Sequence, residues 1–274
     1  MDGAGLRIGT QGWNYAAWLG GFFPEGTRAA DFLATYARAF DTVEVDSTFY
    51  AVPPSKSVHG WAGRTPDGFT FALKMPQEVT HERRLRGTEE VETEFFGRAR
   101  ELGEKLGPIL VQLGPDFQPD ELPALAEFVP RVPDDLRVAI EFRNHKWADR
   151  RVLPTVLSLL AGHGIAFALN DGPWIPRDIL LALALRPTAD FHYVRWMGPD
   201  RSITDHSHVQ ADRTDEEQAW AETLRRLPER RVEVFGYFSN YWAGHAPASA
   251  RAMQRLLGQT PTEPDTLAEQ TSLF

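Results

Sequence analysis

Strand-like and helix-like segments alternate eight times along this chain, and no other feature narrows the available folds as much. The strand segments lie at residues 6–10, 42–47, 69–75, 108–114, 137–143, 165–170, 191–196 and 232–238. Each is short, and each either alternates apolar with polar residues or runs continuously apolar. Helical periodicities fill the intervals at 27–39, 55–63, 88–106, 120–128, 149–163, 178–185, 215–227 and 247–257. Antiparallel neighbours would need tight Asn-Gly or Gly-Gly hairpins, and none joins two of these strands. Parallel neighbours need helical crossovers, which occur throughout. Eight such units predict an α/β fold, a single (β/α)8 TIM-barrel-like domain over residues 1–258. The alternative is an open doubly wound sheet, but no Gly-x-Gly-x-x-Gly turn follows the first strand.

Composition restricts the chemistry. Cysteine is absent, which removes disulfides, iron-sulfur clusters and thiol nucleophiles and suits a reducing compartment. Residues 1–5 lack a basic-then-apolar leader, and the longest apolar run, 179–185, is far too short for a membrane span. The expectation is a cytoplasmic protein with no membrane partner. A net charge of -9 argues against nucleic-acid binding over the whole surface, yet a focused basic groove remains compatible with it.

In a barrel, alternate residues point inward and chemistry gathers at the C-terminal ends of the strands. Taking the polar face as the inner one brings together Glu44, Asp46, Lys74, Gln112, Glu141, Arg143, Asn170 or Asp171, and Arg195. Early inward positions are small, such as Ala72, Ala139, Ala166 and Ala168, so the polar set would sit above a packed floor. A buried ion network that only plugs the mouth is the plain alternative, although hydrophobic plugging would be at least as stable. Trp13, Phe49, Tyr50, Trp147, Trp174, Trp196 and Tyr241 follow or close strands on the same face and could wall a pocket or cover the barrel.

Glu44, Glu141, Asp171 and His81 could in principle ligate a metal, but Lys74, Arg143 and Arg195 share their position and favour an anion instead. The expectation is therefore no metal and no cofactor. Lys74, Arg143 and Arg195 would hold an anionic substrate, phosphorylated or nucleic-acid-derived, with Glu44 or Glu141 as general acid or base and Asp171 nearby. Such a protein would be a hydrolase or a phosphodiesterase.

Several motifs together resemble the YecE-like family, a domain of unknown function with a TIM-barrel fold. They are Ile8-Gly-Thr-x-Gly-Trp13, Glu44-Val-x-Ser-Thr-Phe-Tyr50, Phe71-Ala-x-Lys74 with Thr80-His81, and Gln112-Leu-Gly-Pro115. Glu141-x-Arg143 with Trp147, Val194-Arg195 with Gly198, and Phe238-x-Asn240 before His245 complete the set. The resemblance implies a polar site on the top face, with Trp13, Asp46, Phe49, Tyr50, His81, Gln112, Arg143, Trp147, Arg195 and Asn240 binding substrate. Some members of that family have been compared with endonuclease IV, which implies a metal-dependent phosphodiesterase as one alternative. Asp46 departs from the family's usual Asn, and Ser239 from the first of two Asn.

Beyond Gly258 the chain turns rich in Pro, Thr and acidic residues, which predicts a flexible tail over 259–274. Its end, Gln270-x-x-Leu273-Phe274, resembles the peptide by which bacterial replication and repair proteins bind the sliding clamp. On that resemblance the chain would be a DNA-maintenance factor tethered through Gln270, Leu273 and Phe274. Docking of Leu273 and Phe274 on their own barrel is the alternative.

Overall fold

Parallel pairing organises the entire sheet of this computed structural model, which describes residues 5–227 and 232–269. The strands are β1 (Leu6–Gln11), β2 (Thr42–Val45), β3 (Thr70–Lys74), β4 (Leu106–Gln112) and β5 (Val138–Glu141). They continue as β6 (Ala166–Phe167), β7 (Leu169–Asp171), β8 (Phe191–Trp196) and β9 (Glu233–Phe238). Their order across the sheet is β6-β5-β4-β3-β2-β1-β9-β8-β7.

The two ends of that order, β6 and β7, are separated in sequence by Ala168 alone. The Ala168 amide donates to the Ile140 carbonyl at 2.9 Å, and Leu169 then pairs with Val194. Residues 166–171 thus act as one strand that leaves β5 for β8, and the eight-unit barrel closes through it.

Small and large side chains fill the lumen in a complementary way. Ala72, Ala139, Ala166 and Ala168 line one side, and Phe191, Tyr193, Phe235 and Tyr237 from β8 and β9 reach across to them. The other strand face carries residues such as Val43, Val45, Ile109, Ile140 and Val194, which pack in the larger core shared with the surrounding helices. Both faces are buried, which is why the strands read as dense apolar runs.

The helices follow the expected intervals: α1 (Phe32–Tyr36), α2 (Ser55–Ala62), α3 (Glu89–Arg100), α4 (Leu122–Phe128), α5 (Leu153–Ala161), α6 (Arg177–Ala184) and α7 (Thr214–Leu224). After β9 come α8 (Asn240–Ala243), α9 (Ala246–Leu256) and α10 (Pro264–Glu269). The helix expected over 27–39 is reduced to α1 and a preceding turn. Tyr36 there turns its hydroxyl onto the Thr10 amide at 2.9 Å and the Thr42 carbonyl at 3.0 Å, tying α1 to two strands.

The first part of the segment expected to be a tail, residues 259–269, contacts the barrel. Gln259 donates to the carbonyl of Leu6, the first residue of β1, at 2.7 Å, and α10 buries Leu267 in the core. Gln270, Leu273 and Phe274 lie outside the described residues. Among the described residues no helix is long and apolar enough to cross a membrane.

Candidate functional site

At the C-terminal end of the lumen, Glu44 and Glu141 are fully buried and are joined by one guanidinium. Arg195 donates from Nε and Nη2 to the two oxygens of Glu44, at 2.9 and 2.7 Å, and from Nη1 to Glu141 at 2.7 Å. The Tyr193 hydroxyl, one turn of the pleat below, donates to Glu44 at 2.7 Å. Arg143 donates from Nε to the remaining oxygen of Glu141 at 2.6 Å. The carboxylates therefore have partners for their lone pairs, as a buried charge requires.

Above this layer lies an open cavity of about 590 Å³. Lys74, the last residue of β3, enters it with Nζ 3.2 Å from Asp46 and 4.5 Å from the centre of the Phe49 ring. β2 stops at Val45 and Asp46–Phe49 forms a single tight turn, so Glu44 faces the lumen while Asp46 and Phe49 face the cavity. In the same turn the Thr48 hydroxyl accepts from the Lys74 amide at 2.9 Å and lies 2.9 Å from its carbonyl.

His81 reaches the cavity from a π-helical turn, Glu78–Glu82, and contacts Phe49 edge-on at 5.0 Å. Such turns place side chains that a regular helix would not, and they recur at functional sites. Strain follows directly, because Arg84 and Leu85 both have positive φ, 53° and 66°. Arg84 is held there by Glu121 and Asp116, and Leu85 by burial. Gln112 lines the cavity from β4, and its buried amide nitrogen has no partner among the described residues. Tyr15, Tyr50 and Tyr241 supply flat walls, and Arg201 lies over Tyr241 at 5.5 Å.

Electrostatics separate the groups. Burial raises Glu44 above the usual carboxylate range, opposed by Arg195 and reinforced by Asp46. Burial works the same way on Glu141, but Arg195 and Arg143 outweigh it and bring that group down to about 2. The opposite directions reflect a second cation at Glu141 and a second anion near Glu44. Burial, followed by Arg195 and Arg143, pulls Lys74 below the usual ammonium range, although Asp46 resists. Burial and the Arg143 charge also lower His81, which favours neutral imidazole.

Of the residues expected from sequence, Asp46, Phe49, Tyr50, Lys74, His81, Gln112, Arg143, Arg195 and Asn240 line the cavity, and Glu44 and Glu141 lie beneath it. Asn240 also accepts from the Trp18 indole and the Ala246 amide, each at 3.0 Å, so its carbonyl fixes loops. Asp171, Trp13 and Trp147 sit elsewhere. Asp171 accepts from Arg177 and the Trp220 indole, both at 2.6 Å, because its strand position faces the helices. Trp13 packs on Trp61 and Phe71, and Trp147 is fully buried with its indole donating to the Phe117 carbonyl. Tyr241, named among the aromatics that could wall a pocket, lines the cavity, and Tyr15, Arg201 and His206 join it without having been singled out as its residues. The long connection 197–213, which brings Arg201 and His206, was the available signal.

Among the described residues no three His, Asp or Glu side chains gather where a metal could bind. Of the acids that could have served, Glu44 and Glu141 are engaged by Arg195 and Arg143, and Asp171 is turned away onto Arg177, so the donor set does not fit a metal cluster.

Fold and site together define a (β/α)8 barrel with a polar cavity at the C-terminal ends of its strands. Residues 7–272 match the family described as Protein of unknown function DUF72, and the chain belongs to that family. It is 33% identical over 139 residues to UPF0759 protein YecE of Escherichia coli K12, covering 51% of this chain and 48% of the relative. The chain thus spans about half the length of that relative. Over 270 residues it is 26% identical to UPF0759 protein YunF of Bacillus subtilis 168, covering 92% of this chain and 94% of the relative. Its fold is similar to the crystal structure of a DUF72 family protein from Thermotoga maritima MSB8. The TM-score is 0.74 at 25% identity, covering 93% of this chain and 99% of that one. A DUF72 family protein from Enterococcus faecalis V583 gives 0.72 at 22%, covering 93% and 98%.

Proposed function

We propose that the chain is an enzyme whose cavity takes a small anionic substrate, phosphorylated or derived from nucleic acid. The observation that carries this reading is the state of Arg143. Its Nε is committed to Glu141, whereas its two terminal nitrogens have no hydrogen-bond partner among the described residues and its side chain lines the cavity. The unpartnered Gln112 amide lies on the same wall, so two donors stand ready for one oxyanion.

This assignment redistributes the expected roles. Arg195 has all three nitrogens committed to Glu44 and Glu141, so it fixes those acids and leaves the anion to Arg143. Glu44 and Glu141, buried and occupied, act as positioning residues. His81, half-buried and favoured neutral, is the better general base at this face. Tyr15, Tyr50 and Tyr241 offer stacking surfaces for a base or sugar.

Calorimetry with inorganic phosphate and with a nucleoside 5′-monophosphate tests the reading. Binding of either, weakened about tenfold or more in an Arg143→Gln variant shown to be folded by circular dichroism at the assay temperature, is the expected result. No heat from either ligand with the wild-type protein would refute it and leave the network as a plug.

Clamp binding through Gln270, Leu273 and Phe274 is a separate proposal. It is supported by the anchoring of residues 259–269 at the start of β1, the barrel end away from the cavity, where a partner would leave the site open.

A further inference from the structure

The chain contains 25 arginines and only four lysines, Lys56, Lys74, Lys105 and Lys146. Arginine supplies positive charge almost everywhere, including both guanidiniums of the buried network. Arginine cannot give up its proton at physiological pH, whereas lysine can. Only one lysine lines the cavity. Lys56 lies on α2, Lys105 is capped by the carbonyls of Ala62 and Thr65, and Lys146 bonds Gln118 on the surface. The remaining one, Lys74, sits where the anion site, an acid and an aromatic ring meet.

We propose that Lys74 is a covalent nucleophile, forming a Schiff base with a substrate that carries both a carbonyl and an anionic group. The proposal rests on the anion site assigned above and names the substrate class it serves. Lys74 Nζ is 3.2 Å from Asp46, close enough for direct proton transfer, and the Lys74 side chain is only 8% exposed, with the Phe49 ring 4.5 Å away. Thr48 fixes the lysine backbone from both the amide and carbonyl sides, so the side chain leaves β3 in one direction. The lowered proton affinity of Lys74 in this setting agrees with the geometry.

The step balances without redox chemistry. Asp46 takes a proton from the Lys74 ammonium. The free amine attacks the carbonyl carbon, a C–N bond forms, and the C=O π pair moves to oxygen. The oxygen collects the proton from Asp46. Asp46 then takes a second proton from the carbinolamine nitrogen and passes it to the hydroxyl, which leaves as water while the nitrogen lone pair closes the C=N bond. The product is an iminium in which substrate carbon is bonded to Nζ, and hydrolysis reverses the sequence.

Pyridoxal 5′-phosphate is a suitable probe, since it joins an aldehyde to a phosphate on a flat ring. The full-length protein is incubated with it, reduced with borohydride, and the adduct is mapped by mass spectrometry. Lys74 should be modified markedly faster than Lys56 or Lys146, since it alone has a proton acceptor at 3.2 Å inside a cavity lined by anion-binding donors. Lys74→Arg should remove the fast phase, and Asp46→Asn should slow it while leaving the protein folded. Equal modification of Lys56, Lys146 and Lys74 would overturn the proposal. Pyridoxal without phosphate separates this result from the anion site. Fast labelling of Lys74 by both aldehydes would support the nucleophile and remove the anion reading. Phosphate binding by calorimetry without preferential labelling would remove the nucleophile and keep the anion site.

Discussion

Arg195 bridges Glu44 and Glu141 across the lumen, linking strands β2 and β5, neither of which pairs with its own strand β8. A charge bridge of this kind ties non-adjacent staves of the barrel together. Its stability value lies in completeness, since removal of one member leaves buried charges without a partner. Arg195→Met is expected to cost about 3–5 kcal/mol in urea denaturation. Arg195→Met combined with Glu44→Gln and Glu141→Gln should recover much of that loss. A triple variant as unstable as the single one would mean the loss comes from packing and not from orphaned charge.

Glu141 gives the network an acid limit. Its proton affinity is depressed from 4.5 to about 2 in the folded protein, because Arg195 and Arg143 outweigh burial. A carboxylate depressed on folding contributes stability that is complete above its unfolded value and is lost as pH falls through its folded value. The stability difference between wild type and Glu141→Gln should therefore be constant above about pH 5 and shrink between roughly pH 4.5 and 2. The depression corresponds to something on the order of 3 kcal/mol. Paired denaturation curves across that range measure it, and a difference that stayed flat to pH 2 would contradict the assignment.

The eight-unit plan and the inner polar face were legible because they depend on local periodicity, which short parallel strands and their crossovers preserve. Glu44, Lys74, Gln112, Glu141 and Arg195 fall at inward positions by alternation alone. Asp171 does not, since Asn170 takes the inward position opposite Arg195 in register and the next residue must face outward. Trp13 and Trp147 look like wall residues in a loop, yet loop direction is set by tertiary contacts that no period encodes. The same holds for the π turn that delivers His81 and for connection 197–213. α10 rests on a single buried Leu267, and one leucine makes no pattern.

Gly198 controls how that connection meets the cavity wall. Its φ is +80°, and a Cβ there would come within 2.2 Å of the Tyr241 carbonyl oxygen. Gly198→Ala must therefore displace either the loop or α8, and with them Arg201 and Tyr241. The expected outcome is a loss of about 1–3 kcal/mol together with weakened ligand binding. Gly26 has a similar φ, +79°, with no atom within 4 Å of its would-be Cβ. Gly26→Ala is thus the control for conformational strain alone and should cost only about 1 kcal/mol, with binding intact. Equal effects of the two substitutions on binding would show that the close approach to Tyr241 has no role in shaping the site.

The C-terminal segment can be divided at the end of α10. Leu267 is 1% exposed and its carbonyl accepts from Arg38 at 3.2 Å, so the segment up to Leu267 contributes to the barrel's stability. Leu267→Ala is expected to cost about 2–4 kcal/mol, as truncation of a buried leucine does. Deleting residues 270–274 should leave the melting temperature unchanged but abolish binding to a bacterial sliding clamp measured by calorimetry, as should replacing Leu273 and Phe274 by Ala. A short peptide of this kind gains its affinity from an apolar cleft on the partner, so the loss should be nearly complete and not graded. Clamp binding that survives the deletion, or is absent from the full chain, would remove the tether from the account without touching the cavity.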